Sequence, residues 1–285
     1  MNLYRVPDIA KKYIDYDMIQ AHTELPAYSQ YRARLLYAFL NRSKLFRKHS
    51  ELFTLVTSLV QLALDTHERV ENASDHEEEK QIRSKQLKVL AGDYLSSRFY
   101  QLLSQAGQID IIRMLSWAIC EVNRIKMNLY VKMKQVKITA EEYLHQSVEM
   151  NSKLFLSFSH CMDGLYEKEW PELLYRFTKC EFLLEELKRM DKLEEFPHSW
   201  GYWYLLQQAD RKELTSVYNG TTRDWQQMLE KYRIRDHLLG LIQSQIEEIQ
   251  KRINRLESDL LQRELKNLKD TITHAFTRLK LLKEV

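Results

Sequence analysis

The sequence predicts an all-α protein with a long, coiled-coil-like C-terminal helix, and three observations carry that expectation. The chain of 285 residues holds only six Gly and four Pro, against usual frequencies of about 7% and 5%. Such sparse punctuation fits long helices with short connections. Apolar residues recur three and four apart along most of the chain, the spacing of one helix face. From Leu239 the pattern tightens into a heptad stripe, Ile242, Ile246, Ile249, Ile253, Leu256 and Leu260, with no Gly or Pro after Gly240. A hydrophobic content of 44% is enough for one large core, or a core plus an appendage.

In chain order, residues 1–26 form a short helical lead-in ending at Leu25-Pro26. A helix from about Tyr28 to Leu45 carries Tyr31, Leu35, Leu36, Phe39 and Leu40 at helical spacing. The next, Leu52–Val70, is apolar nearly all round between Leu52 and Leu64, so it is central to a core or shared with another subunit. The acidic stretch Ser74–Lys80 reads as a solvated loop. A helix over Gln86–Ser104 is broken by Ala106-Gly107. Asp110 then caps Ile111–Lys134, whose inner face is Ile112, Leu115, Ile119, Val122 and Ile125. Thr139 and Glu142 have capping-box spacing at the start of Thr139–Phe158, and Pro171–Met190 follows.

Between Leu193 and Tyr218 lies the aromatic run Phe196-Pro197-His198-Ser199-Trp200-Gly201-Tyr202-Trp203-Tyr204. It reads first as core or interface, with a π-lined ligand site as the alternative. After Leu260-Leu261 the apolar stripe shifts register through Leu265, Leu268, Ile272, Ala275, Leu279 and Leu282. The slip turns the seam around the helix, so one uninterrupted coiled-coil partner is not expected. The tail either packs on its own body or serves assembly.

Composition excludes several classes. With 43 basic and 40 acidic residues the net charge is +3, and no strongly basic face of the nucleic-acid-binding kind stands out. Cys120, Cys161 and Cys180 lack CxxC spacing and are odd in number, which suits buried thiols in a reducing cytosol. The N-terminus has no signal-peptide pattern, and no apolar run reaches the ~18 residues of a membrane span. A soluble, cytoplasmic protein is expected. His67, His76 and the neighbouring glutamates are too irregularly spaced for a metal site.

Two short segments carry the functional information: Leu64-Asp65-Thr66-His67-Glu68-Arg69, closing the apolar helix, and Leu90-Ala91-Gly92-Asp93-Tyr94-Leu95. Together they resemble the trans-prenyl diphosphate synthases, in which an apolar helix ends in DDxxD and a second helix carries Gly-Asp-Tyr/Phe-Leu. Two aspartates one helical turn apart point into one cavity, where Mg²⁺, a cation that takes oxygen ligands, neutralises the leaving pyrophosphate. Here the cluster has decayed. One alignment sets Asp65, Thr66 and Arg69 at its three acidic positions; a shift by one leaves Asp65 and Glu68. Where the family has Arg-Arg-Gly, this chain reads Ala73-Ser74-Asp75-His76-Glu77-Glu78-Glu79-Lys80, the wrong charge for a diphosphate. No second DDxxD follows; Leu206-Gln207-Gln208-Ala209-Asp210 is a faint echo with one carboxylate. Without the family, Asp65 is a surface acid in an i,i+4 pair with Arg69 and Asp93 a structural hydrogen-bonding residue.

The departures are themselves specific. Val60-Gln61-x-Ala63-Leu64-Asp65-Thr66-His67 followed by Gln86-Leu87-x-Val89-Leu90-Ala91-Gly92-Asp93-Tyr94 resembles the small subunit, component 1, of bacterial two-component heptaprenyl diphosphate synthases. The resemblance implies an isoprenoid-synthase-like helical domain over 1–235, with 236–285 as a heptad-patterned extension. It implies a prenyltransferase subunit that is not catalytic alone and holds no cofactor or metal. A large catalytic partner, component 2, with two DDxxD motifs would hold the Mg²⁺. The product would be an all-trans heptaprenyl diphosphate, built from farnesyl and isopentenyl diphosphates for the menaquinone side chain. Asp65, Glu68, Gly92 and Asp93 are then motif remnants. Leu55, Leu59, Leu62, Ala63 and Tyr94 are candidates for the partner interface or the tunnel wall, and a peripheral contact of the complex with a membrane is compatible with the pattern. Two rivals stay open: a helical adaptor acting through Leu239–Leu282, and a self-sufficient prenyltransferase using Asp65, Glu68 and Asp210.

Overall fold

The structure, a computed structural model, describes residues 4–17, 19, 23–70, 79–164, 166–190, 192, 195–196, 199–210, 213 and 222–281. Among these residues there are α-helices, short 3-10 turns and no strand. The helices are α1 (Val6–Ile14), α2 (Gln30–Leu40), α3 (Ser50–Glu68), α4 (Glu79–Gln105), α5 (Ile109–Lys134) and α6 (Ala140–Leu156). After them come α7 (Tyr166–Arg189), α8 (Trp200–Gln208), α9 (Thr222–Lys231), α10 (Ile234–Ile253) and α11 (Asp259–Leu281). The chain divides into two compact units, Met1–Cys120 with Leu154–Glu167, and Glu121–Lys153 with Lys168–Val285.

In the first unit α3 is enclosed on every side: each residue from Phe53 to Ala63 is buried. Its hydroxyls are satisfied along the helix itself. Thr57 Oγ1 donates to the Phe53 carbonyl (2.7 Å), Ser58 Oγ to Thr54 (2.7 Å) and Thr66 Oγ1 to Leu62 (2.6 Å). On one flank Val6 and Ala10 of α1, Tyr37 of α2 and Leu95 of α4 pack against Leu55, Leu59, Leu62 and Ala63. Helix α2 stops at Leu40, short of the expected Leu45, because Asp163 takes the Lys44 amide (2.9 Å) and draws the chain out of the helix. Arg32 of α2 is buried; its Nε donates to Ser29 Oγ (2.9 Å) and its guanidinium lies 5.4 Å from the Phe155 ring centroid.

Helix α4 opens at Glu79, ahead of the expected Gln86, so Glu79 and Lys80 are helical rather than loop. The rest of the acidic stretch lies outside the described residues. The helix closes in a Schellman motif: Gly107, at φ +67, donates to Ser104 (3.0 Å) and Gln108 to Leu103 (2.8 Å). Asp110 does not cap α5. It sits in the first turn, favoured there by the helix dipole, and accepts from Arg113 (3.1 Å). The buried row of α5 is Ile111, Leu115, Ala118, Val122, Ile125 and Leu129, one residue round from the expected stripe, which leaves Ile112 and Ile119 half-buried. Cys161 and Cys180 are buried, and burial pushes each thiol up to about 12; Cys120, expected to be buried, is exposed.

In the second unit Thr139 caps α6, its Oγ1 accepting from the Glu142 amide (3.1 Å). Only that half of the capping box forms, since the Glu142 carboxylate meets Lys132 and Gln146 instead. Helix α7 starts at Tyr166, so Pro171 lies inside it rather than opening it and removes one backbone donor. The aromatic run is core. Phe196, Trp200 and Trp203 are buried, and Ser199 caps α8 by accepting from the Tyr202 amide (3.3 Å). Pro197 and His198 lie outside the described residues.

The heptad tail, expected as one long helix, is two. Helices α10 and α11 run antiparallel, with Arg235 donating to the Leu279 carbonyl (2.7 Å) and Lys269 to Gln250 Oε1 (3.0 Å). The register slip falls at the turn 254–258. Ile242, Ile246, Ile249 and Ile253 face Leu265, Leu268, Ile272 and Phe276 as the buried rows, while Leu260 is exposed and Phe276 takes the place expected of Ala275. Leu282 lies outside the described residues. The hairpin rests on α7, where Arg252 pairs with Glu172 (2.8 Å) and Arg176 reaches Gln245 (3.3 Å).

Candidate functional site

Helices α3 and α4 bring the two motif segments together. The His67 ring lies against the backbone of Gly92: a Cβ there would stand 2.2 Å from His67 Nε2. A glycine at 92 is what allows the ring to approach the helix this closely. The same Nε2 is 3.5 Å from Asp93 Oδ1, and Lys88 Nζ reaches the Arg69 carbonyl at 3.5 Å, closing the end of the helix pair.

The two remnants of the aspartate-rich cluster lie in different surroundings. Asp65 is half-buried, and its Oδ1 accepts a hydrogen bond from Gln61 Nε2 (2.7 Å), one turn earlier on the same helix. Glu68 is exposed. Asp93 has a side chain 64% exposed and is engaged by His67. Mg²⁺ requires a near-octahedral set of oxygens, several of them carboxylate or phosphate. One carboxylate held by an amide, one facing solvent and one beside an imidazole do not fit that set. Among the described residues no three His, Cys, Asp or Glu side chains are grouped as a metal site requires. Asp210 is occupied locally: its Oδ1 accepts from the Glu213 amide (2.9 Å) and its own amide donates back to Glu213 Oε2 (3.1 Å), a reciprocal cap. Gln207 Oε1 accepts from the Ala140 amide (2.8 Å).

Leu55, Leu59, Leu62 and Ala63 are 4, 0, 2 and 1% exposed, covered by this chain's own α1, α2 and α4. Tyr4 and Tyr28 border the cluster, and burial pushes both hydroxyls up, that of Tyr28 to about 12, so they stay neutral. Tyr94 is half-buried. Its ring stacks on Tyr16 (5.7 Å between centroids), and the Arg98 guanidinium lies 4.6 Å from the ring centre while donating to the hydroxyl (3.1 Å). Arg98 was not singled out from the sequence; its i,i+4 spacing from Tyr94 is the signal that could have found the pair. The His67–Gly92 contact and Tyr16 left no such signal, because their partners are brought together only by tertiary packing.

The sequence model of the family described as heptaprenyl diphosphate synthase (HEPPP synthase) subunit 1 matches residues 16–234. A relative named heptaprenyl diphosphate synthase component 1, from Geobacillus stearothermophilus, is 30% identical over 138 residues, 48% of this chain and 57% of that protein. The match therefore spans just over half of the relative. Among solved structures, a decaprenyl diphosphate synthase from Rhodobacter capsulatus superposes with a TM-score of 0.68 at 13% identity, covering 96% of this chain and 95% of that one. A geranylgeranyl pyrophosphate synthetase from Pyrococcus horikoshii gives 0.66 at 14% identity, with 94% of each chain covered. These establish the all-α isoprenoid synthase fold.

Proposed function

The chain belongs to the heptaprenyl diphosphate synthase subunit 1 family, and we propose that it is the auxiliary subunit of a heteromeric all-trans heptaprenyl diphosphate synthase. A large catalytic partner with two DDxxD clusters binds Mg²⁺ and the diphosphates. It ionises the allylic substrate and joins isopentenyl units to farnesyl diphosphate, for the menaquinone side chain. This chain supplies the packing surface that the partner needs. Leu55, Leu59, Leu62 and Ala63 serve it from within, by fixing α3 and α4 against α1, and Tyr94 with Arg98 stands at the surface of that frame.

The observation that carries the reading is the engagement of Asp65 by Gln61 (2.7 Å) at the position where the synthases hold metal. The Asp65 carboxylate is tied to its own helix, and His67 lies beside Asp93 (3.5 Å). The test is a chain carrying Asp65→Asn and Glu68→Gln. Titrated into a fixed amount of the partner, it should support prenyl elongation to the same plateau and at the same ratio as the unaltered chain. A plateau reduced a hundredfold or more would show that these carboxylates take part in the chemistry and would sink the division of labour.

A further inference from the structure

The C-terminal end of α5 and the turn after it carry a surface that the subunit reading does not use. Met127, Tyr130, Val131 and Val136 are 61, 57, 46 and 61% exposed, while the opposite side of the same helix buries Ile125 and Leu129. Four large apolar side chains so exposed within ten residues form a patch rather than scattered exceptions.

The backbone adds an independent observation. Val136 has φ +52 and closes the helix, its amide donating to Met133 (2.9 Å) while the Lys137 amide donates to Lys132 (3.0 Å). Gly or Asn is usual at such a closing position, and a β-branched residue there is strained. The Val136 side chain stands in solvent, so packing within the chain does not offset the strain. Strain that the fold does not need marks places where function does.

Charge decides what the patch fits. Residues 121–138 hold Arg124, Lys126, Lys132, Lys134 and Lys137 against the single acid Glu121. Arg124 is tied to Glu121 (2.9 Å) and Lys132 to Glu142. Lys134 and Lys137 are exposed and form no ion pair among the described residues. Lysine is depleted from protein–protein interfaces, whereas apolar residues, a tyrosine and free lysines side by side are the composition of elements that lie in an anionic bilayer surface.

We propose that the end of α5, with Val136 at its tip and Lys134 and Lys137 beside it, docks onto an anionic phospholipid surface. The apolar side chains enter the headgroup boundary and the lysines meet the lipid phosphates. The inference does not depend on the chain being a synthase subunit, since the chain alone should bind.

The experiment is co-sedimentation of the full chain with vesicles of phosphatidylcholine containing about one-third phosphatidylglycerol, and with phosphatidylcholine alone. Binding should require the anionic lipid and fall with added salt. Met127→Asp with Val131→Asp, and separately Lys134→Glu with Lys137→Glu, should each weaken it at least tenfold. All four substitutions change exposed side chains, and unaltered helical circular dichroism serves as the control. Val136→Gly gives a readout that a merely structural role would not: it should raise Tm by relieving the strain and yet weaken vesicle binding. No binding by the unaltered chain, or equal binding by the variants, would overturn the proposal. So would variants that still bind vesicles but no longer associate with the catalytic partner, because the patch would then be a subunit interface.

Discussion

At Gly92 two local preferences oppose each other. Alanine is favoured over glycine inside a helix by about 0.8–1 kcal/mol, but a Cβ there would stand 2.2 Å from the His67 ring. Gly92→Ala should therefore gain nothing in the unaltered chain, because the ring must leave its place beside Asp93. In a His67→Ala background the same substitution should stabilise by about 1 kcal/mol. Urea unfolding of the four chains of this cycle gives the coupling; strictly additive effects would mean that the ring does not constrain position 92. The site was half legible from such residues. Asp65 stood out as a remnant acid, but Gln61, which donates to it from i−4, was assigned no role. The expected i,i+4 pair with Arg69 considered charge and passed over the neutral amide one turn nearer the core.

At the scale of elements, Glu186 of α7 ties α8 in place. Buried in the core, it accepts from the Trp200 amide (2.5 Å) and from Arg189 (3.0 Å). Burial raises its pKa from 4.5 to about 7, against the opposing pull of Arg189. The folded state thus holds a proton that the unfolded chain releases near 4.5, and stability present at low pH is lost as pH rises toward 7. Relative to a Glu186→Gln chain, the unaltered chain should lose about 2–3 kcal/mol between pH 4.5 and 7. Parallel stability curves for the two chains would show that Glu186 does not titrate in that window. The C-terminal hairpin supports a second expectation. Leu265 and Ile272 are 0% exposed, so alanine at either should cost about 2–5 kcal/mol in denaturant unfolding; a cost within 0.5 kcal/mol would place α11 off the core. Periodicity predicted the helices up to α7 and a helical tail, yet it named no helix at α8 or α9 and misjudged ends and faces. The α5 stripe contains isoleucines at both 111 and 112 and at 119 next to Ala118, so hydrophobicity alone could not choose between adjacent rows. The tail has no Gly or Pro at 254–258 to mark its turn, and the reversal was visible only as a slip in register.

For the molecule as a whole, the fold was legible because scarce Gly and Pro, helical spacing and a two-segment motif all pointed the same way. The departures from the family's aspartate-rich cluster were legible too, as missing carboxylates at known spacing. What the sequence left open was how the remaining side chains are used: His67 and the α1 cover over Leu59 act through tertiary contacts, and Gln61, though local, is a neutral amide beside the acid it binds. The central claim is that this chain contributes structure and its partner contributes metal and chemistry. The most direct test is incorporation of labelled isopentenyl diphosphate onto farnesyl diphosphate with Mg²⁺, comparing this chain, the DDxxD-bearing partner and the two together. Long-chain product from the mixture and from neither chain alone is the predicted result. Turnover by this chain without the partner would contradict it.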